Sequence, residues 1–207
     1  MSTEGDAVFT GAGRDWRNRA LLNFSHDVPW FAYSAGYKEA ADRLVAGIVG
    51  GLHGQDMLIF PIFFLYRHYL EVSIKEQIKE CQQLLGIKPP HKPRKHQYSQ
   101  AAKGHDLAGL WAYLKGLIPG IYPGLADTVL SEIDRVVEAF HRHDGGGDAA
   151  RYPEDLDGRR TLSGLREVNL RRLAEDMARA GDSFSVIGGG IDYEHYQRQL
   201  AAEAVAD

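Results

Sequence analysis

Residues 57–80 read MLIFPIFFLYRHYLEVSIKEQIKE. Ten apolar or aromatic residues, Met57 to Tyr66, run into Arg67-His68, and Glu71 and Lys75 follow at helical spacing. Stepped at 100° per residue, Arg67, Glu71, Lys75 and His68 share one arc about 100° wide. Phe63, Leu65, Tyr66, Tyr69, Leu70, Val72 and Ile74 take the other directions. A helix that is apolar around most of its circumference is predicted to lie buried among others. The apolar run is about half of the roughly 20 residues that a membrane span requires, and Arg67 stops it. A core helix is therefore expected here rather than a membrane anchor.

Working outward, Phe31, Tyr37, Ala40, Ala41, Leu44, Val45 and Ile48 recur at three- and four-residue steps, which predicts a helix from Trp30 that Gly50, Gly51 and Gly54 end. The apolar helix should span about 56–85, with Pro61 tolerable near its first turns and Gly86 closing it. Residues 87–104, rich in proline and without periodicity, read as a loop. Asp106 has the chemistry of an N-cap for a helix carrying Leu107, Leu110, Trp111, Leu114 and Leu117 on one side. Pro119, Gly120, Pro123 and Gly124 break that helix. Leu125, Val129, Ile133, Val136, Val137 and Phe140 mark a further helix over about 125–142. DGGGD at 144–148 reads as flexible and RYPED at 151–155 as a tight polar turn. Two more helices are expected over Glu167–Arg179 and Asp192–Val205. With no strand alternation and no internal repeat, the fold class is all-α, a bundle of five or six helices. A loose tail over 1–27 and a single helical domain over 28–207 complete the expected organisation.

Composition bounds the function. The chain has 207 residues, 44% of them hydrophobic and 25% charged, with a net charge of −4. That balance argues against a surface that coats nucleic acid generally, while leaving room for a local basic patch. The single cysteine, Cys81, excludes an intramolecular disulfide and suits a reducing cytoplasm. The opening MSTEGDAVFTGAGRDW lacks the basic and apolar regions of a signal peptide, and a cytoplasmic location is expected. Neither a metal nor a cofactor is called for: His141-Arg142-His143-Asp144 is a poor ligand string with an arginine inside it, and no hydrolase elbow occurs.

The charged arc admits two accounts. Arg67–Glu71 and Glu71–Lys75 are i,i+4 pairs of opposite sign and can be purely structural. Alternatively, two cations and the imidazole of His68 flank one carboxylate, leaving positive charge that a buried setting makes costly unless matched. A ligand phosphate would match it, as would an acid from elsewhere in the chain, with Asp106, Glu154 and Asp155 the candidates.

Three strings in order, FPIFFLYRHYLEVSIK, GHDLAGLWAYLK and RYPED, resemble a group of small bacterial helical proteins of the HEPN type, over roughly residues 30–180. The last string departs slightly, with Ala150 where Phe is expected before Arg151. The resemblance implies an RNA- or nucleotide-binding protein, with relatives among toxins and antiviral defence components. Such proteins include metal-independent endoribonucleases whose Arg-x(4–6)-His motif is assembled by dimerisation. Imidazole can take the proton of a 2′-hydroxyl and guanidinium can hold the phosphate whose charge builds up.

Two spacings fit that motif, Arg19/His26 and Arg135/His141. A chain with nine histidines holds about as many by chance, so spacing alone carries no weight. Position favours Arg135 as phosphate clamp and His141 as general base. Arg67, His68, Glu71, Lys75, His105, Asp106, Arg151 and Tyr152 are the expected lining of an anionic-ligand site. Lys88, Lys92, Arg94, Lys95 and Lys103 with His91 and His96 form an acid-free loop, read as a solvated surface or as a recruiter of RNA backbone. The expected partners are RNA or a nucleotide, a second copy of the chain and a cognate toxin, antitoxin or defence protein, with no membrane. The competing expectation is a non-catalytic adaptor or antitoxin-like module.

Overall fold

Five α-helices and no strand make up the residues described by the computed structural model, namely 16–22, 30–87 and 104–206. They are α1 (Trp30–Val49), α2 (Gln55–Leu84), α3 (Leu107–Leu117), α4 (Asp127–Asp144) and α5 (Leu170–Ala206). The all-α bundle expected from the sequence is what the chain forms. The acid-free loop and most of the expected N-terminal tail, His26 included, lie outside the described residues.

The central rod is α2, packed against α1, α3 and α5, while α4 closes on α3 and α5. Its Ile62, Tyr66, Leu70, Ile74 and Ile78 are all fully buried. These positions are four residues apart, so they form one continuous ladder along the helix. Leu107, Leu110, Leu114, Ile133 and Met177 from α3, α4 and α5 complete the fully buried core. Pro61 sits inside α2 on its exposed side, and the helix runs through it. The carbonyl that Pro61 cannot bond belongs to Met57, itself exposed, so water can satisfy it. At the far end the Ile87 amide reaches back to Gln82 and the Gly86 amide to Gln83, with Gly86 at φ +65° as the left-handed stop. Although α2 is the one described helix long and apolar enough to cross a membrane, its middle is enclosed by protein.

The sequence expectation of two C-terminal helices is corrected to one. Residues 180–191, with Gly181 and Gly188–Gly190, continue the helix instead of interrupting it. Each glycine costs about 1 kcal/mol in a helix, but Ala180, Ser183, Phe184, Ile187 and Ile191 are buried at helical spacing across the gap. Tertiary burial of that stripe outweighs local propensity. The glycines also admit close neighbours, since the Tyr122 ring occupies the space that a Cβ at residue 190 would fill.

Candidate functional site

Arg67 and Glu71 stand in the column of α2 next to the apolar ladder, below Phe63 and above Lys75. Both are only 2% exposed. Arg67 is bonded at every nitrogen. Its Nη1 donates to Glu71 Oε2 at 2.6 Å, its Nε to the Asp144 carbonyl at 3.0 Å, and its Nη2 to the carbonyls of His105 at 2.6 Å and Gly145 at 3.3 Å. The Asp144 carboxylate lies 3.6 Å from Nε. The second oxygen of Glu71 accepts from Lys75 Nζ at 2.6 Å and faces His105 Nδ1 at 2.9 Å. Because an ionised carboxylate can only accept, His105 Nδ1 must carry the proton there.

This network is matched by its own charges. Burial pushes the Glu71 carboxyl up, but the bonds and charges of Lys75 and Arg67 outweigh it and bring it down to about 2. The acid that completes the set is Asp144, not Asp106, Glu154 or Asp155 as the sequence suggested. A carboxylate in the last turn of a helix opposes the helix dipole, which was the available sign that Asp144 had work elsewhere. Its Oδ1 accepts from the amides of Gly147 and Ala149, so the same side chain shapes the loop that caps Arg67. Gly147 completes the cap at φ +87°, close enough that a Cβ would lie 3.0 Å from Arg67 Cζ.

His68 leaves the arc. Its ring lies edge-on to Tyr37, with centroids 4.5 Å apart, and stacks on Phe64 at 5.5 Å. Burial, more than the neighbouring charges, lowers its pKa from the ordinary value. Arg151 and Tyr152 lie on the surface, with Arg151 paired to Asp148 at 2.9 Å and stacked over the Tyr152 ring. No contact joins Arg151 to Arg67 among the described residues. The RYPED turn is held locally: Asp155 accepts from the amides of Asp157 and Arg159, and Thr161 Oγ1 donates to the Tyr152 carbonyl.

The Arg135/His141 pair is split. Six residues on one helix place the two side chains about 120° apart around the axis. Arg135 turns to α5, bonding Asp176 at 3.0 Å and Glu132 at 3.1 Å. His141 turns to the start of α3, with Nδ1 3.4 Å from Asp106 Oδ1. Asp106 also caps α3 by accepting from the Gly109 amide, as its sequence position predicted. The structure therefore gathers Arg67, Glu71, Lys75, His105, Asp106 and His141 at one end of the bundle. It leaves Arg135, His68, Arg151 and Tyr152 outside that cluster.

Above the sealed ion network, the histidine side chains reach solvent, 71% exposed at His105 and 43% at His141. Each presents Nδ1 to a carboxylate and leaves Nε2 without a hydrogen-bond partner among the described residues. Paired imidazoles backed by carboxylates are suited to moving protons at a bound ligand. The described residues hold no group of three or more side chains that could bind a metal. Comparison with protein-family models, with curated proteins and with solved structures gave no match.

Proposed function

We propose that this chain is a HEPN-like helical protein that binds RNA or a nucleotide and cleaves RNA without a metal, as part of a bacterial toxin or defence system. The observation that carries the reading is the His105–Asp106–His141 cluster, in which the first and second strings of the resemblance and the end of α4 meet. In this reading His141, oriented by Asp106, takes the proton from a 2′-hydroxyl, and His105, held by Glu71, returns one to the leaving oxygen. The phosphate clamp is Arg135 of a second copy, because Arg135 of the same chain is engaged by Glu132 and Asp176.

Incubating the purified chain with RNA in EDTA tests this, with His141→Ala and His105→Ala alongside. The reading expects cleavage by the parent chain and at least about a hundredfold loss in each variant. Intact RNA in the parent reaction removes the enzymatic claim, and equal cleavage by parent and variants clears the histidines of a role.

A different observation favours a second reading, a non-catalytic adaptor or antitoxin-like module. Arg67, Glu71, Lys75 and Asp144 neutralise one another, so the arc on α2 has no unmatched charge to offer a ligand. Expression of the chain alone separates the two: growth arrest supports the nuclease, harmless overexpression the adaptor.

A further inference from the structure

On the opposite side of α2 from the ion network, a groove of about 540 Å³ runs between α1, α2 and α5. Its walls carry Glu76 and Glu80 from α2 and Asp182 and Asp192 from α5. The cation in the same wall, Lys38, is already committed to Asp42 at 2.7 Å. Glu80 has His195 at 3.3 Å and Lys79 at 3.6 Å, whereas no ion pair reaches Glu76, Asp182 or Asp192 among the described residues. Burial, and next the charge of Glu80, raises the Glu76 carboxyl above its ordinary value.

Acidic walls alone would be unremarkable on a protein of net negative charge. Gln77, in the same lining, makes the difference. It is only 8% exposed, and its Nε2 donates to the Phe184 carbonyl at 2.8 Å, which fixes its amide. Its Oε1 is buried without any donor. A buried acceptor is nearly always satisfied in a finished structure, so this one points to a donor that arrives with a ligand. The groove thus offers carboxylates and one orphaned carbonyl, bounded by the aromatic rings of Phe31, Tyr69 and Phe184. Its charges are also strung out. Ten residues of helix place Asp182 and Asp192 about 15 Å apart along α5, and four place Glu76 and Glu80 about 6 Å apart along α2.

We propose that this groove binds a linear polyamine. Its ammonium groups would be answered by Glu76, Glu80, Asp182 and Asp192, one N–H would be donated to Gln77 Oε1, and its methylenes would lie against the aromatic walls, where cation–π attraction adds to the contact. A compact divalent metal would meet only one end of such a row. This site is independent of the histidine cluster and of the nuclease reading.

Calorimetric titration of the full chain with spermine at physiological salt tests the proposal, with magnesium chloride and a short oligolysine peptide as parallel probes. Saturable 1:1 binding of spermine is expected, weakened at least tenfold by Glu76→Gln with Asp182→Asn and about tenfold by Gln77→Leu. Absence of saturable binding overturns the proposal, as does binding unchanged in the carboxylate variant. Equal binding of magnesium would reduce the groove to a diffuse counterion region, and binding of oligolysine without spermine would assign it to a protein partner. Should Gln77→Leu fail to fold by circular dichroism, Asp182→Asn with Asp192→Asn, both at exposed positions, decides the matter.

Discussion

Replacing Arg67 by methionine, which keeps length and apolar bulk while removing the charge, is the most direct test of the sealed network. The change deletes the 2.6 Å bond to Glu71 and orphans three carbonyls, those of His105, Asp144 and Gly145. It also leaves Asp144 buried, with the nearest cation gone. Each unsatisfied buried polar group costs about 1–3 kcal/mol, and removing one partner of a buried ion pair costs about 3–5 kcal/mol in all. Lys75 and His105 still serve Glu71, and the exposed side of His105 lets water reach its carbonyl, so the lower part of that range, about 3–4 kcal/mol, is the expectation. Urea unfolding followed by circular dichroism reads it. With a slope of about 2–3 kcal/mol per molar, the midpoint should fall by roughly 1–2 M with the slope unchanged. Arg67→Lys should recover less than half of the loss, since an ammonium cannot reproduce the planar fork that serves both the carboxylate and the carbonyls. A midpoint shift below about 0.3 M for Arg67→Met would mean that the guanidinium is hydrated in solution, and the account of a self-neutralised core would fail.

Gly147→Ala should destabilise by about 1–3 kcal/mol, because its positive φ is strained for alanine and the new methyl presses on the Arg67 guanidinium; thermal melts check this, and an unchanged midpoint refutes the cap. Glu71, whose pKa falls from 4.5 to about 2 on folding, contributes stability that is complete above pH 4.5 and lost as the pH drops toward 2, about 3 kcal/mol in total. Melting midpoints measured across that window should therefore fall less steeply for Glu71→Gln than for the parent, and parallel curves would count against the assignment. His68 has its pKa lowered by burial, so its neutral form is the folded one; stability is full above 6.5 and declines as the pH falls below it. His68→Phe, which keeps the ring between Tyr37 and Phe64, should flatten the decline between about pH 7 and pH 5. Arg135→Ala should cost well under 1 kcal/mol in stability, as its pairs are half exposed, while abolishing RNA cleavage; a variant that cuts normally removes Arg135 from the mechanism.

Much of the fold was legible in the residues. The starts and stops of α1, α2 and α3 follow from Gly50 and Gly51, from Gly86 and from the Asp106 cap, all local chemistry that acts within one turn of chain. The C-terminal helices were misread as two because glycine propensity is a local signal, and the burial of Ala180, Phe184 and Ile187 that overrides it is not. His68 fell in the charged arc by helical geometry, yet aromatic neighbours from α1 and from its own helix took its ring.

By itself the sequence determined the class of fold, the central position of α2 and the presence of a charged column on a buried helix, because periodicity along one chain is enough to say which face is apolar. Only the tertiary structure decided what that column meets. Asp144, His105 and Gly145 are distant in sequence, and their carbonyls and carboxylate reach Arg67 only once α3 and α4 have packed. The same packing turned Arg135 away from His141, left Gln77 Oε1 without a donor and opened the acidic groove. Spacing reports direction around one axis; the partners depend on how several axes come together.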